Sequence, residues 1–138
     1  MAFNLLKGKR GIIFGALDEN SIAWKTAQRI KEEGGVFTLT NAPIAMRMGK
    51  INELAKACNA EVIPADATSE DELKVLFAKS LEVLGGKLDF VLHSIGMSPN
   101  VRKNRPYGDL NYEFFLKTLD IPASRSTRCC KRQKKRMP

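Results

Sequence analysis

The chain has 138 residues, 23 basic against 15 acidic side chains, a net charge of +8, three cysteines and one histidine. That length holds one domain at most, and three cysteines, two of them adjacent, neither form a disulfide framework nor show the Cys/His spacing of a metal site. No secretory leader or membrane-spanning apolar run is visible, so a reducing cytoplasm is the expected compartment.

Gly11 to Gly15 is a short apolar run, the mark of a buried parallel strand. Asp18-Glu19-Asn20-Ser21 follows, and Asn20 or Ser21 can cap a helix over Ile22–Glu33 with Ile22, Ala23, Ala27 and Ile30 at helical spacing. Gly34-Gly35 stops it. Val36–Thr40 reads as a second strand, and Ile44–Asn59 as one helix with Met46, Ile51, Leu54 and Ala55 facing inward. Cys58 on that helix reads as a small buried apolar residue. Glu61–Pro64 is a short third strand. Thr68-x-x-Asp71 and Ser69-x-x-Glu72 resemble capping boxes, opening a helix that buries Leu73, Leu76, Phe77, Leu81 and Leu84 and ends at Gly85-Gly86. Leu88–His93 is a fourth strand, Ser98–Gly108 a loop, and Asn111–Leu119 the start of another helix. Alternating strands and helices predict an α/β fold. The expected form is a Rossmann-type, doubly wound parallel sheet of order 3-2-1-4, truncated after the fourth strand and the start of the next helix.

Ligands bind such sheets at the carboxyl ends of the strands, beside the switch point between strands 1 and 4. Three segments converge there. In Gly15-Ala16-Leu17-Asp18-Glu19-Asn20-Ser21-Ile22-Ala23, Gly15 permits close backbone approach and the helix start offers free N–H groups to a pyrophosphate. The G-x-G-x-x-G pattern is absent, and the same loop also reads as an ordinary capped turn. Asp66-Ala67 follows strand 3, where a carboxylate can accept from an adenine amino group or simply cap the backbone. In His93-Ser94-Ile95-Gly96-Met97-Ser98-Pro99, Ile95 can cover adenine or ribose and Gly96 lets backbone approach a ligand. His93 reads as a strand-end histidine satisfied by a backbone carbonyl, because no carboxylate or thiol is placed to activate it.

Taken together, Gly-x5-Ser-Ile-Ala, Asp-Ala and His-Ser-Ile-Gly-x-x-Pro resemble the NADH-dependent enoyl-[acyl-carrier-protein] reductases of the short-chain dehydrogenase/reductase superfamily. The resemblance covers about residues 4–120 and includes Lys7-Gly8-Lys9-Arg10 before strand 1. It implies NAD contacts at Gly15, Ser21, Ile22, Asp66, Ala67 and Ile95, with the acyl substrate near Ser98. It also implies an oxidoreductase of fatty acid biosynthesis. The trans-2 double bond of an acyl chain on acyl carrier protein is reduced by hydride transfer to the β-carbon, with an enolate oxygen stabilised until protonation. The full-length family is expected to form homotetramers.

Two departures stand out. Thr40-Asn41-Ala42, at the end of strand 2, offers neither a carboxylate for a ribose 2′-OH nor an arginine for a 2′-phosphate, so the residues alone leave NAD and NADP open. The catalytic Tyr-x6-Lys pair has no counterpart: Phe114 and Leu119 stand seven residues after Tyr107 and Tyr112. No catalytic residue is therefore assigned, and without that hydroxyl and lysine oxyanion stabilisation is lost. The chain by itself is expected to be inactive.

Residues 1–122 read as the N-terminal part of the NAD-binding domain, and residues 123–138 as a separate tail. Seven of the 23 basic residues lie after position 122 with no acid among them, so residues 1–122, with sixteen bases and 15 acids, carry about +1. A rival reading follows: a non-catalytic nucleotide-binding module whose basic tail docks on nucleic acid or membrane. Vicinal Cys129-Cys130 could bind a soft metal, but no other ligand stands near. A phospho-receiver reading fails, since no acidic cluster follows strand 1.

The tail also reads as out of frame. Synonymous codons for Ser126–Pro138, regrouped in the neighbouring frame, encode L-H-K-M-L-Q-A-A-K-K-T-D-A, a string of helix formers with helical periodicity that resembles the family's helix after strand 4. Truncation there leaves Phe90-Val91-Leu92 as an open apolar edge and predicts a poorly soluble fragment. The gene is expected to continue, in the frame next to codon 123, into a strand and a Tyr-x6-Lys segment; nucleotide sequencing checks this, and early stop codons in that frame would favour the docking-tail reading.

Overall fold

A computed structural model of the chain describes residues 2–124. The basic residues of the tail, from Arg125 onward, lie outside them, as does the frame reading built on residues 126–138.

Four strands form one parallel sheet: β1 (Arg10–Phe14), β2 (Val36–Thr40), β3 (Glu61–Val62) and β4 (Phe90–His93), in the order β3-β2-β1-β4. The helices between them are α1 (Ile22–Glu32), α2 (Pro43–Met48), α3 (Ile51–Cys58) and α4 (Glu70–Val83). After β4 come a short α5 (Pro99–Arg102), a single tight turn (Tyr107–Asp109), α6 (Tyr112–Leu119) and a wide turn at Asp120–Ser124. The order expected from the alternation is thus observed, and it leaves the switch point between β1 and β4.

Alternation along the strands divides the core in two. Ile13, Phe37 and Leu39 face α1 and α3 through Ala23, Ala27, Ile51 and Leu54. Ile12, Phe14 and Ile63 face α4 through Leu73, Leu76 and Phe77. Burial on both faces explains why β1 is an apolar run rather than an alternating string; β2 does alternate, but its Thr38 and Thr40 are buried with Phe37 and Leu39. On the α4 side, Thr38 and Ser80 are fully buried and share a 2.8 Å hydroxyl hydrogen bond, which removes the cost of burying either alone. Phe90 lies over Gly11, where a Cβ would collide with its ring.

The sheet's amino-terminal edge is pinned by charge. Asp89 accepts from the Arg10 N–H at 2.9 Å, and its own N–H donates to the Arg10 carbonyl at 2.7 Å. Lys87 stands 3.1 Å from the same carboxylate. Burial pushes the Asp89 carboxyl up, but the Arg10 N–H and the two lysines Lys87 and Lys9 outweigh it and hold it below the usual range. Glu33 plays a similar part under the first residues, accepting from the Phe3 and Leu5 N–H groups at 2.9 and 3.2 Å.

Several element boundaries differ from those expected. The single helix over 44–59 is two helices, broken at Gly49-Lys50. Gly49 is extended, a Cβ there would sit 2.6 Å from the Leu17 carbonyl oxygen, and the Lys50 N–H donates to that oxygen at 2.8 Å. The loop after β1 therefore occupies the place a continuous helix would need. Met46 is only partly buried as a result, whereas Ile51, Leu54, Ala55 and Cys58 are buried. Ile22, one of the apolar residues at helical spacing in α1, is 77% exposed, and Trp24 is buried with Ala23, Ala27 and Ile30. The capping box at Ser69 is half made: Ser69 Oγ accepts from the Glu72 N–H, but the Glu72 carboxylate accepts from the Asp66 N–H. β3 and β4 are shorter than expected. The loop over 98–108 holds α5 and the turn at Tyr107–Asp109.

Among the described residues β4 pairs only with β1, and Phe90, Val91 and Leu92 are half-buried. Replacing Thr38 by Val is expected to cost about 1–3 kcal/mol by stranding the Ser80 hydroxyl, while adding Ser80→Ala should recover most of that loss. Urea unfolding of the two variants checks this; equal stability of Thr38→Val and wild type would be the contrary result.

Candidate cofactor site at the strand ends

The loop after β1 is shaped by one glycine and one serine. Gly15 has φ 89°, its N–H donates to the Thr40 carbonyl at 3.1 Å, and a Cβ at this position would collide with the Ser94 carbonyl oxygen. The close approach expected of Gly15 is thus first of all an approach to the chain's own β4 end. Ser21 is the N-cap of α1. Its hydroxyl donates to the Asp18 carbonyl at 2.8 Å and accepts from the N–H groups of Leu17 and Trp24 at 3.3 and 3.4 Å. Asp18 Oδ1 in turn accepts from the Asn20 N–H at 2.9 Å. The loop is therefore closed by its own side chains.

A cavity of about 340 Å³ opens at the carboxyl ends of the strands. It brings together Gly15, Asp66, Ala67 and Ile95, four of the seven residues singled out from the sequence. Its size falls in the range of small-molecule sites, and its lining is mostly apolar with a few polar groups, as such sites require. Asp66 faces the cavity while its Oδ1 accepts from the Thr68 N–H at 2.7 Å, so the capping role and a place in the site coexist in one side chain. Gly96 has nothing within 4 Å of where a Cβ would stand. A nucleotide fits such a lining: glycine backbone for close approach, an aliphatic side chain for a ring face and a carboxylate for an amino group.

Ser21, Ile22 and Ser98 are not among the lining residues. Ser21 is held by the loop, Ile22 stands exposed at the start of α1, and Ser98 is the N-cap residue of α5 without a side-chain cap bond. Conversely, Ile44 and Ala45 of α2, Arg102 of α5 and Ile121 line the cavity and were not anticipated. Pro43, at the first position of α2, was the signal for the first two, since proline there starts a helix directly after the β2 end. Nothing local marks Arg102 or Ile121, which arrive by tertiary packing. Asn41, at the end of β2, also lines the cavity, but its side chain is tied to backbone, donating to the Ala16 carbonyl at 3.3 Å and accepting from the Ala42 N–H at 2.9 Å.

A family model described as enoyl-(acyl carrier protein) reductase matches residues 15–138. The chain belongs to this family. It is 33% identical over 121 residues to enoyl-[acyl-carrier-protein] reductase [NADH] 1 of Rhizobium meliloti, an alignment covering 87% of this chain and 44% of the relative. It is 32% identical over 118 residues to the FabI reductase [NADH] of Aquifex aeolicus, covering 85% and 43%. Among solved structures, a FabI–NADH complex from Alistipes finegoldii superposes with a TM-score of 0.92 at 55% identity, covering 98% of this chain and 48% of that one. The chain thus spans about half the length of the reductases it matches. The described residues supply a four-stranded parallel sheet of the α/β type. No helix among them is long and apolar enough to cross a membrane, and no group of three or more metal-ligating side chains occurs among them.

His93 has a hydrogen bond to its own backbone, in keeping with the carbonyl partner expected for it. Its ring stacks on Phe14 at 5.7 Å between centroids, and its buried Nε2 has no hydrogen-bond partner among the described residues. Burial pushes its pKa below 6.5. Between 6.5 and the lower folded value the unfolded chain binds more protons, so this contribution to stability is complete above 6.5 and lost as pH falls through the folded pKa. His93→Phe is expected to flatten that part of the pH–stability curve; thermal melts of both proteins across this range test it, and parallel curves would contradict it.

Proposed function

We propose that this chain carries the cofactor half of an NADH-dependent enoyl-acyl-carrier-protein reductase. One observation carries the reading: a single cavity at the switch point gathers Gly15, Asp66, Ala67 and Ile95 from three separate strand ends. Family membership and the likeness to a FabI–NADH complex support it. Asp66 would receive the adenine amino group, the Ala67 backbone would flank the base, and Ile95 would cover its face. Gly15 and the loop capped by Ser21 and Ile22 would let the diphosphate approach the N–H groups at the start of α1. The acyl chain, delivered on acyl carrier protein, would pass near Ser98. When bound, the nicotinamide supplies the hydride for reduction of the trans-2 double bond.

The residues present leave one task undone. A developing enolate oxygen needs a hydroxyl aimed at it and a cation to tune that hydroxyl. Tyr107 and Tyr112 are 93% and 71% exposed, and neither lines the cavity. The chain is therefore proposed to bind dinucleotide without turning over enoyl substrate alone. Cytoplasmic residence and tetrameric assembly are proposed for the full-length enzyme.

Titration of NADH against the purified chain, followed by nicotinamide fluorescence, is expected to show weak saturable binding that Asp66→Ala diminishes. Absence of any change at millimolar cofactor would sink the cofactor reading. NADH-dependent consumption of a trans-2-enoyl thioester by the pure chain would overturn the proposed inactivity.

A further inference from the structure

The short segment after β4 carries three cations: Arg102, Lys103 and Arg105. Two are engaged locally. Lys103 Nζ lies 4.5 Å from the centroid of the Phe114 ring, and Arg105 Nη1 is 3.3 Å from the Asp109 carboxylate. Arg102 has neither an ion pair nor a hydrogen bond from its guanidinium among the described residues, and it is the one cationic side chain among the cavity's lining residues.

Its position is fixed from behind. Asn100, two residues earlier, is buried; its Nδ2 donates to the Asn111 carbonyl at 3.1 Å and its Oδ1 accepts from the Asn111 N–H at 3.0 Å. The Arg105 N–H donates to the Asn100 carbonyl at 3.1 Å. This two-way clamp locks α5 onto the cap of α6, whose own N–H at Phe114 is bonded by Asn111 Oδ1 at 3.0 Å. A buried asparagine satisfied on both sides is a costly device for an incidental surface turn. What it holds in place is Arg102, an exposed residue at the edge of a mostly apolar cavity. The cavity's acidic lining residue, Asp66, already accepts a backbone N–H. A fork of donors with no internal acceptor suits a phosphate.

We propose that Arg102 is a phosphate-contacting residue of this site. The inference rests on the nucleotide-binding reading and deepens it. The phosphate is either the dinucleotide's diphosphate bridge or a 2′-phosphate on its adenosine ribose. The second source bears directly on cofactor choice, because Asn41 brings no carboxylate to the β2 end that would repel it.

The test is calorimetric titration of wild type, Arg102→Ala and Arg102→Lys with adenosine, ADP and adenosine 2′,5′-bisphosphate. Arg102→Ala is expected to weaken at least one phosphate-bearing ligand by about tenfold or more. Adenosine should bind wild type and variant alike, and Arg102→Lys should retain part of the lost affinity. A loss shared by ADP and the bisphosphate assigns the contact to the bridge, and a loss confined to the bisphosphate assigns it to the 2′-phosphate; both uphold the proposal. Unchanged binding of both phosphorylated ligands by Arg102→Ala overturns it while leaving the cofactor reading intact. Failure of wild type to bind any of the three, adenosine included, overturns the cofactor reading and this inference with it.

Discussion

The approach of Gly15 to the Ser94 carbonyl is the constraint on which the upper end of the molecule depends. β1 and β4 are neighbours in the sheet, and both must turn away at their carboxyl ends within one residue of each other. Only a residue without a Cβ, and with a positive φ, lets the two backbones pass. That passage opens a crevice between the two turns rather than a filled core. The same atoms that make the sheet possible at this point therefore make the cavity. A side chain at position 15 would damage packing and site together, so the glycine cannot be assigned to structure or to function alone.

The second feature is how little of the site is left loose. The β1–α1 loop is closed by Ser21 and Asp18, the β3–α4 loop by Asp66 and Glu72, and α5 by Asn100. Each polar side chain satisfies nearby backbone that would otherwise be stranded near a concave surface. The loop after β1 also reaches across to break the helix after β2 at Gly49, through the Leu17 carbonyl. The loop after β1 and the break between α2 and α3 thus brace each other. This is the pre-organisation expected of a ligand site carried by a rigid sheet.

Against this, the far side of the sheet is spare. β4 is half-buried along its length, and α6 has no buried residue of its own. Apolar side chains of α6, among them Phe115, Leu116 and Leu119, are about half exposed. The chain spans about half the length of the reductases it matches.

Much of the architecture was legible in the residues. Short, largely apolar runs, glycine pairs after α1 and α4 and capping serines made the parallel order readable, because helix and strand periods are local properties. The motif residues Gly15, Asp66, Ala67 and Ile95 were legible for the same reason: each sits at a fixed offset from a strand end, and strand ends of a doubly wound sheet converge. What the sequence could not settle were contacts between distant segments. The break at Gly49 depends on Leu17, the open Nε2 of His93 on the Phe14 face, and the place of Arg102 on the Asn100–Asn111 clamp. Local propensity sets which element a residue joins. Which atoms from remote elements meet, and which polar group is left over to face a ligand, is decided only when the sheet and its loops close.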